Sequence, residues 1–215
     1  MRKLANAKAV FWFAAGAIVA GCAPIGMGSG YEDPPKPMIY AFDIVKRIEP
    51  GVTAEADPNE FKQDVYGLGP QARLLMRFKD LLPHVSDVRI DGDNKVQVQL
   101  TVVGDAADAA AAADAISVCA LTRHFMMFAT WDAAHQFGTT GRWKTPGGDF
   151  DRAECAKGTV SDKDKQAVVF DVTQWFIDYP KARNANYGLI ATSAKPVEIA
   201  GDTSGSAYPR LLWSE

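Results

Sequence analysis

From residue 95 to residue 103 the chain reads KVQVQLTVV, and its apolar positions Val96, Val98, Leu100 and Val102 fall on every second residue. That spacing predicts a half-buried antiparallel strand, because successive side chains of a strand point to opposite faces. Other short runs are apolar without strict alternation. Residues 38–45 (MIYAFDIV), 73–78 (RLLMRF), 116–121 (ISVCAL), 167–172 (AVVFDV), 189–191 (LIA) and 210–213 (RLLW) each predict a strand, and turn-forming residues separate them. Asp91-Gly92-Asp93-Asn94 and Asn186-Tyr187-Gly188 are expected turns, and residues 50–64 an expected loop. Helical spacing occurs once: Val172, Trp175, Phe176 and Tyr179 share one face and Pro180 stops it, which predicts a short helix in the core. Residues 104–115 (GDAADAAAAADA) have helical propensity but no large apolar side chain to bury, so an exposed loop with a helical turn is expected there. Many short strands and one short helix predict an all-β, jelly-roll-like antiparallel β-sandwich over residues 38–215.

The first 37 residues follow a different pattern. Arg2, Lys3 and Lys8 precede the apolar run AVFWFAAGAIVA of residues 9–20, and then comes Val19-Ala20-Gly21-Cys22. A basic start, an apolar stretch too short for the roughly 20 residues of a spanning helix, and small residues before a cysteine resemble the signal peptide and lipobox of bacterial lipoproteins. The resemblance implies cleavage after residue 21 and acylation of Cys22, which would hold the protein to a lipid bilayer. Ala23, in place of an aspartate, implies the outer membrane. Residues 22–37 are rich in Gly, Pro and Ser and are expected to form a flexible tether.

Loss of residues 1–21 removes three of the 23 basic residues and none of the 26 acidic ones, moving the formal charge from −3 to about −6. Such an acidic chain is a poor nucleic-acid binder, since affinity for nucleic acid rests on neutralising phosphates. With Cys22 assigned to lipid, Cys119 and Cys155 remain. In an oxidising compartment they are expected to pair, the alternative being two buried thiols.

Five segments, in order across residues 72–213, resemble the DNRLRE domain family of secreted, carbohydrate-binding-module-like sandwiches. They are RLLMRF at 73–78 with Leu81-Leu82-Pro83, Ala129-Thr130-Trp131-Asp132, the loop from Trp143 through Pro146-Gly147-Gly148-Asp149 to Asp151, the stretch Asp171-Val172-Thr173, Trp175 and Tyr187-Gly188-Leu189, and Tyr208-Pro209-Arg210-Leu211. Phe125 stands where the family usually has a tryptophan. The resemblance implies a sandwich with a ligand-binding, non-catalytic role.

Candidate chemistry is sparse. Asp149 and Asp151 beside two glycines offer a structural calcium site; the competing reading, which the local sequence favours, is a glycine turn with Asp149 capping backbone amides. Trp131 and Trp143 are the tryptophans placed in loops, and with Arg142 and Lys144 they form a candidate carbohydrate site, stacking rings beside cations that pair with an acidic sugar; the competing reading, which is favoured, is core packing or loop bracing. Three histidines and no CxxC spacing argue against zinc. No nucleophile motif is present, and His124 beside Phe125, Met126 and Met127 reads as a packed side chain. Two functions follow as expectations: a surface glycan-binding module, or a scaffold subunit of an envelope assembly acting through a protein partner. An exposed, coplanar Trp131–Trp143 pair would favour the first, and burial of both rings the second.

Overall fold

The computed structural model describes residues 38–53, 63–77, 95–135, 139–178, 187–201 and 207–214. The signal peptide, Cys22 and the tether lie outside the described residues, as do the turn at 91–94, Phe78, Leu81 to Pro83, Tyr179, Pro180 and most of the loop at 50–64. The unit Pro37–Glu215 is all-β, with two α-helices among its described residues.

Nine strands form one antiparallel sheet. Met38–Ala41 (β1) pairs with Arg210–Ser214 (β11), which pairs with Lys95–Thr101 (β5) and then Ala167–Asp171 (β8). Phe150–Val160 (β7) follows, then Ile116–Leu121 (β6), Leu189–Ser193 (β9), Arg73–Arg77 (β4) and Ile44–Ile48 (β2). The strands at the two ends of this order, β1 and β2, are consecutive in sequence and separated only by Phe42 and Asp43. The run at 38–45 is therefore two strands rather than the single one its pattern predicts. The sheet curls into a sandwich, and the chain passes from one layer to the other at Phe42, which is itself buried in the interior. A two-stranded sheet of Val65–Leu68 (β3) and Val197–Ala200 (β10) adds Tyr66, Leu68 and Ile199 to that interior.

The alternation of β5 holds: Val96, Val98 and Leu100 are fully buried and Val102 nearly so. Four strands differ, and one of them, β8, buries Ala167 to Phe170 in succession. In β4, β6 and β9 consecutive residues are buried, because this layer is covered on both faces. Leu74, Met76, Val118, Leu189 and Ala191 face the sandwich interior, whereas Leu75, Cys119, Leu121 and Ile190 face a second core on the outside of the sheet.

The expected loop at 104–115 is instead a helix, Ala106–Ala115 (α1). The Asp105 carboxylate accepts from the amides of Ala107 at 2.7 Å and Asp108 at 3.1 Å, and the Asp105 amide donates to the Asp108 carboxylate at 3.0 Å. This capping box satisfies amides that the first turn leaves open. Ala109, Ala112 and Ala113 are buried at helical spacing, so a stripe of methyl groups replaces the large side chains that a helix usually buries. Close approach is the reason it suffices. A Cβ on Gly158 of β7 would stand 3.0 Å from the Ala113 Cα and 2.6 Å from Val168 Cγ1. The second helix, Thr173–Asp178 (α2), is the short one expected, so the described residues form two α-helices where one was expected.

Candidate functional site

The second core is built by the chain between β6 and β7. Thr122 donates to the Asp149 carbonyl at 2.9 Å, which closes the base of this excursion. Phe125, Ala129, Ala134 and Trp143 then descend onto Leu75, Cys119, Leu121 and Ile190. Trp143 is only 6% exposed, and its indole N–H donates to the Thr130 carbonyl at 2.9 Å. Its ring braces the loop and offers no open face for sugar stacking. Trp131 is half-buried, with the Arg73 guanidinium 4.8 Å from its ring centre. The two tryptophans therefore form no exposed coplanar platform.

Arg73 is the centre of the arrangement. Its side chain also lies 5.4 Å from the Phe150 ring and donates to the Gly147 carbonyl at 2.7 Å. Gly147 has φ +88°, and a Cβ there would stand 2.6 Å from Arg73 Nη1 and 2.8 Å from Trp131 Cη2. Only glycine lets the loop lie this close. The sequence segments around Arg73, Trp131 and Gly147, far apart in the chain, thus meet in one cluster.

The Asp149 carboxylate accepts from the amides of Lys144 at 3.0 Å and Thr145 at 2.8 Å, with Arg123 Nη1 at 3.8 Å. Asp151 accepts from the Ala153 amide at 2.8 Å. Both aspartates hold their local backbone, which is the capping arrangement weighed against calcium. Among the described residues no group of three or more His, Cys, Asp or Glu side chains is placed to hold a metal. Cys119 and Cys155 form a disulfide across paired positions of β6 and β7, with Cα atoms 4.1 Å apart.

The outer face of the sheet carries a groove of about 420 Å3 beside this cluster. Arg73, Phe150 and Arg152 form one wall; Ser117, Thr192 and Lys157 supply its polar floor. Lys157 donates to the Ser117 hydroxyl at 3.0 Å. Burial first, and then the like charge of Arg152, lowers the Arg73 pKa from its ordinary value, although an arginine remains cationic at neutral pH. Among the described residues neither Arg73 nor Arg152 forms an ion pair, and the acidic side chain lining the groove is the exposed Asp114. A smaller adjoining cleft of about 240 Å3 adds Lys144 to Arg73 and Arg152. Of the four residues expected at a carbohydrate site, Lys144 therefore reaches the basic cluster. Arg142 is exposed but lines neither cleft, Trp143 is buried, and Trp131 supports Arg73 from behind.

His124 departs from expectation, and Trp175 does so only in part, since it packs against the inner core while staying half-buried. His124 is exposed and contacts Arg77 Nη1 through its Nε2; it is the neighbouring Phe125 that is packed. Partial desolvation, Arg77 and then His135 lower the His124 pKa. Trp175, expected in the core, is half-buried and meets the fully buried Phe176 edge-on at 4.6 Å. Thr173 joins the start of α2 to β5 and β8, its hydroxyl accepting from the Val96 amide at 2.9 Å and donating to Asp171 at 2.6 Å.

In comparisons with known proteins, the chain matches no family model and no curated protein.

Proposed function

We propose that this chain is a non-catalytic, lipid-anchored extracytoplasmic module that binds an acidic polysaccharide in the outer-face groove. The observation that carries the reading is the meeting of Arg73, Arg152 and Lys157 over a hydroxyl-bearing floor, with no carboxylate engaging either arginine among the described residues. Guanidinium groups bind carboxylates through two parallel hydrogen bonds, so two arginines with a lysine suit a polymer of uronate-like sugars. A wide groove across a sheet also suits an extended chain more than a small enclosed ligand. Arg73 is pre-positioned by Trp131, Phe150 and Gly147, which reduces the ordering cost of binding. The lipobox at Val19 to Cys22 and the Cys119–Cys155 bridge agree with a secreted, membrane-tethered protein. The DNRLRE resemblance supports the same class.

Titration with a polyuronate and with neutral dextran tests this. The polyuronate should bind and dextran should not, and added salt should weaken binding. Arg152 is exposed, so Arg152→Ala should leave the fold intact while lowering polyuronate affinity about tenfold. Equal binding of both polymers, or an unaltered affinity in Arg152→Ala, would reject the groove as the site. Cys22→Ser should abolish membrane partitioning; unchanged partitioning would reject the anchor.

The missing tryptophan platform favours the second reading, a scaffold that docks an envelope protein. Retention of a protein partner by the Arg152→Ala variant, without any polyuronate binding by the wild type, would select it.

A further inference from the structure

Strand β7 changes partners along its length. It pairs with β6 at Phe150 and from Cys155 to Lys157, but with β8 only from Gly158 to Val160. Toward β8, residues 151–157 have no strand partner among the described residues, the Ala153 amide being held by the Asp151 carboxylate, which an incoming strand would displace. The register with β6 also shifts between the Cys119–Cys155 and Leu121–Phe150 pairs, so residues 151–154 bow away from the sheet. The two layers part here, and a cleft of about 360 Å3 opens between β7 and α2. Val118, Val172 and Leu189, all buried residues of the interior, form its floor, and Trp175 forms a wall. Glu154 and Asp171 stand exposed at its rim, and no lysine or arginine lines it. Cys155 lines both this cleft and the basic groove, so the two lie on either side of the disulfide.

A strand edge left without a partner offers a row of backbone donors and acceptors to an incoming chain. We propose that this split is a strand-addition site for an extended basic segment of a partner protein. The segment pairs with the open edge of β7 and seats an apolar side chain on the Val118, Val172 and Leu189 floor. Its lysines or arginines meet Glu154 and Asp171. Each feature selects the occupant: the open edge asks for a backbone, the aliphatic floor for an apolar side chain, and the acidic rim for positive charge. A polysaccharide brings no backbone amide ladder and finds an aliphatic floor. An acidic polymer is further repelled by the rim, so this site is chemically distinct from the groove.

Hydrogen exchange followed by mass spectrometry on the full chain tests the proposal with three synthetic peptides: acetyl-KVKVK-amide, acetyl-EVEVE-amide, and the KVKVK peptide N-methylated at every backbone nitrogen, which blocks both of its edges. At saturation KVKVK should slow exchange in residues 151–157 about tenfold, because added pairing protects strand amides. The acidic peptide should give no protection, and neither should the N-methylated one, which keeps the charge but cannot pair. Glu154→Gln should weaken KVKVK binding about threefold without altering exchange in β5. Protection by the N-methylated peptide, protection spread evenly over the acidic surface, or none with KVKVK at millimolar concentration would each overturn the proposal. Polyuronate binding is read separately and is unaffected by any of these outcomes.

Discussion

Leu74 and Leu75 are neighbours on β4, both are closed to solvent, and they belong to different cores. Leu74 points into the sandwich, among side chains delivered by regular strands and the alanine stripe of α1. Leu75 points outward, under Phe125 and Trp143, which arrive from an irregular excursion of the chain. The inner core is held by the sheet's own register. The outer core depends on individual contacts: an indole N–H on a carbonyl, an aspartate on two amides, a glycine beneath a guanidinium. Arg73 stands at the edge of the outer core. On this account the inner core gives the protein its stability, and the outer core gives the groove its shape.

Substitutions separate the two. Phe170 is fully buried in the inner core, and Phe170→Ala should cost about 3–5 kcal/mol, read as a lower denaturant midpoint for the whole domain. The disulfide joins β6 to β7, so Cys119→Ala together with Cys155→Ala should cost about 2–4 kcal/mol, again as one global transition. Gly147→Ala acts on the outer core alone. The positive φ and the clash with Arg73 and Trp131 should cost about 1–3 kcal/mol, seen as faster exchange in the loop at 122–149. Asp105→Ala removes the α1 cap at about 1 kcal/mol and should leave that loop untouched. Inner-core variants that released the loop first would collapse the distinction.

The smallest effect concerns pH. His124 sits at the margin of the outer core with its pKa lowered, so the unfolded chain takes up a proton first as the solution is acidified. Its contribution is full above the ordinary value of 6.5 and is lost as pH falls from there through the lowered folded value. His124→Asn should therefore flatten the stability profile slightly on the acid side of neutrality, as measured by denaturation at successive pH values.

The same division explains what could be read from the sequence. β5 was legible because apolar and polar residues alternate along it, even though Gln99 on the polar face is itself buried, and most of the remaining inner-core strands were legible as short apolar runs. β7 was not, since FDRAECAKGTV is exposed or half-buried along its length and carries no apolar period. α1 was hidden because alanine gives little contrast between faces, and its burial depends on Gly158, more than 40 residues downstream. β3 and β10, four residues each, were too short to show a period. The groove was invisible for another reason. Arg73 and Arg152 lie on β4 and β7, with β9 and β6 between them, and no pattern along the chain reports a sheet order. The loop tryptophans act as a brace and as a support for Arg73, which agrees with loop bracing, the reading favoured over sugar stacking.

Polyuronate affinity of Trp143→Ala and Phe170→Ala, measured side by side at a temperature where both domains are folded, tests this division most directly. Trp143→Ala should lose affinity while keeping most of the global stability, because it loosens the loop that positions Trp131 and Gly147 around Arg73. Phe170→Ala should lose stability and bind as the wild type does. Equal affinity in both variants, or unfolding of the whole sandwich on loss of Trp143, would contradict the account.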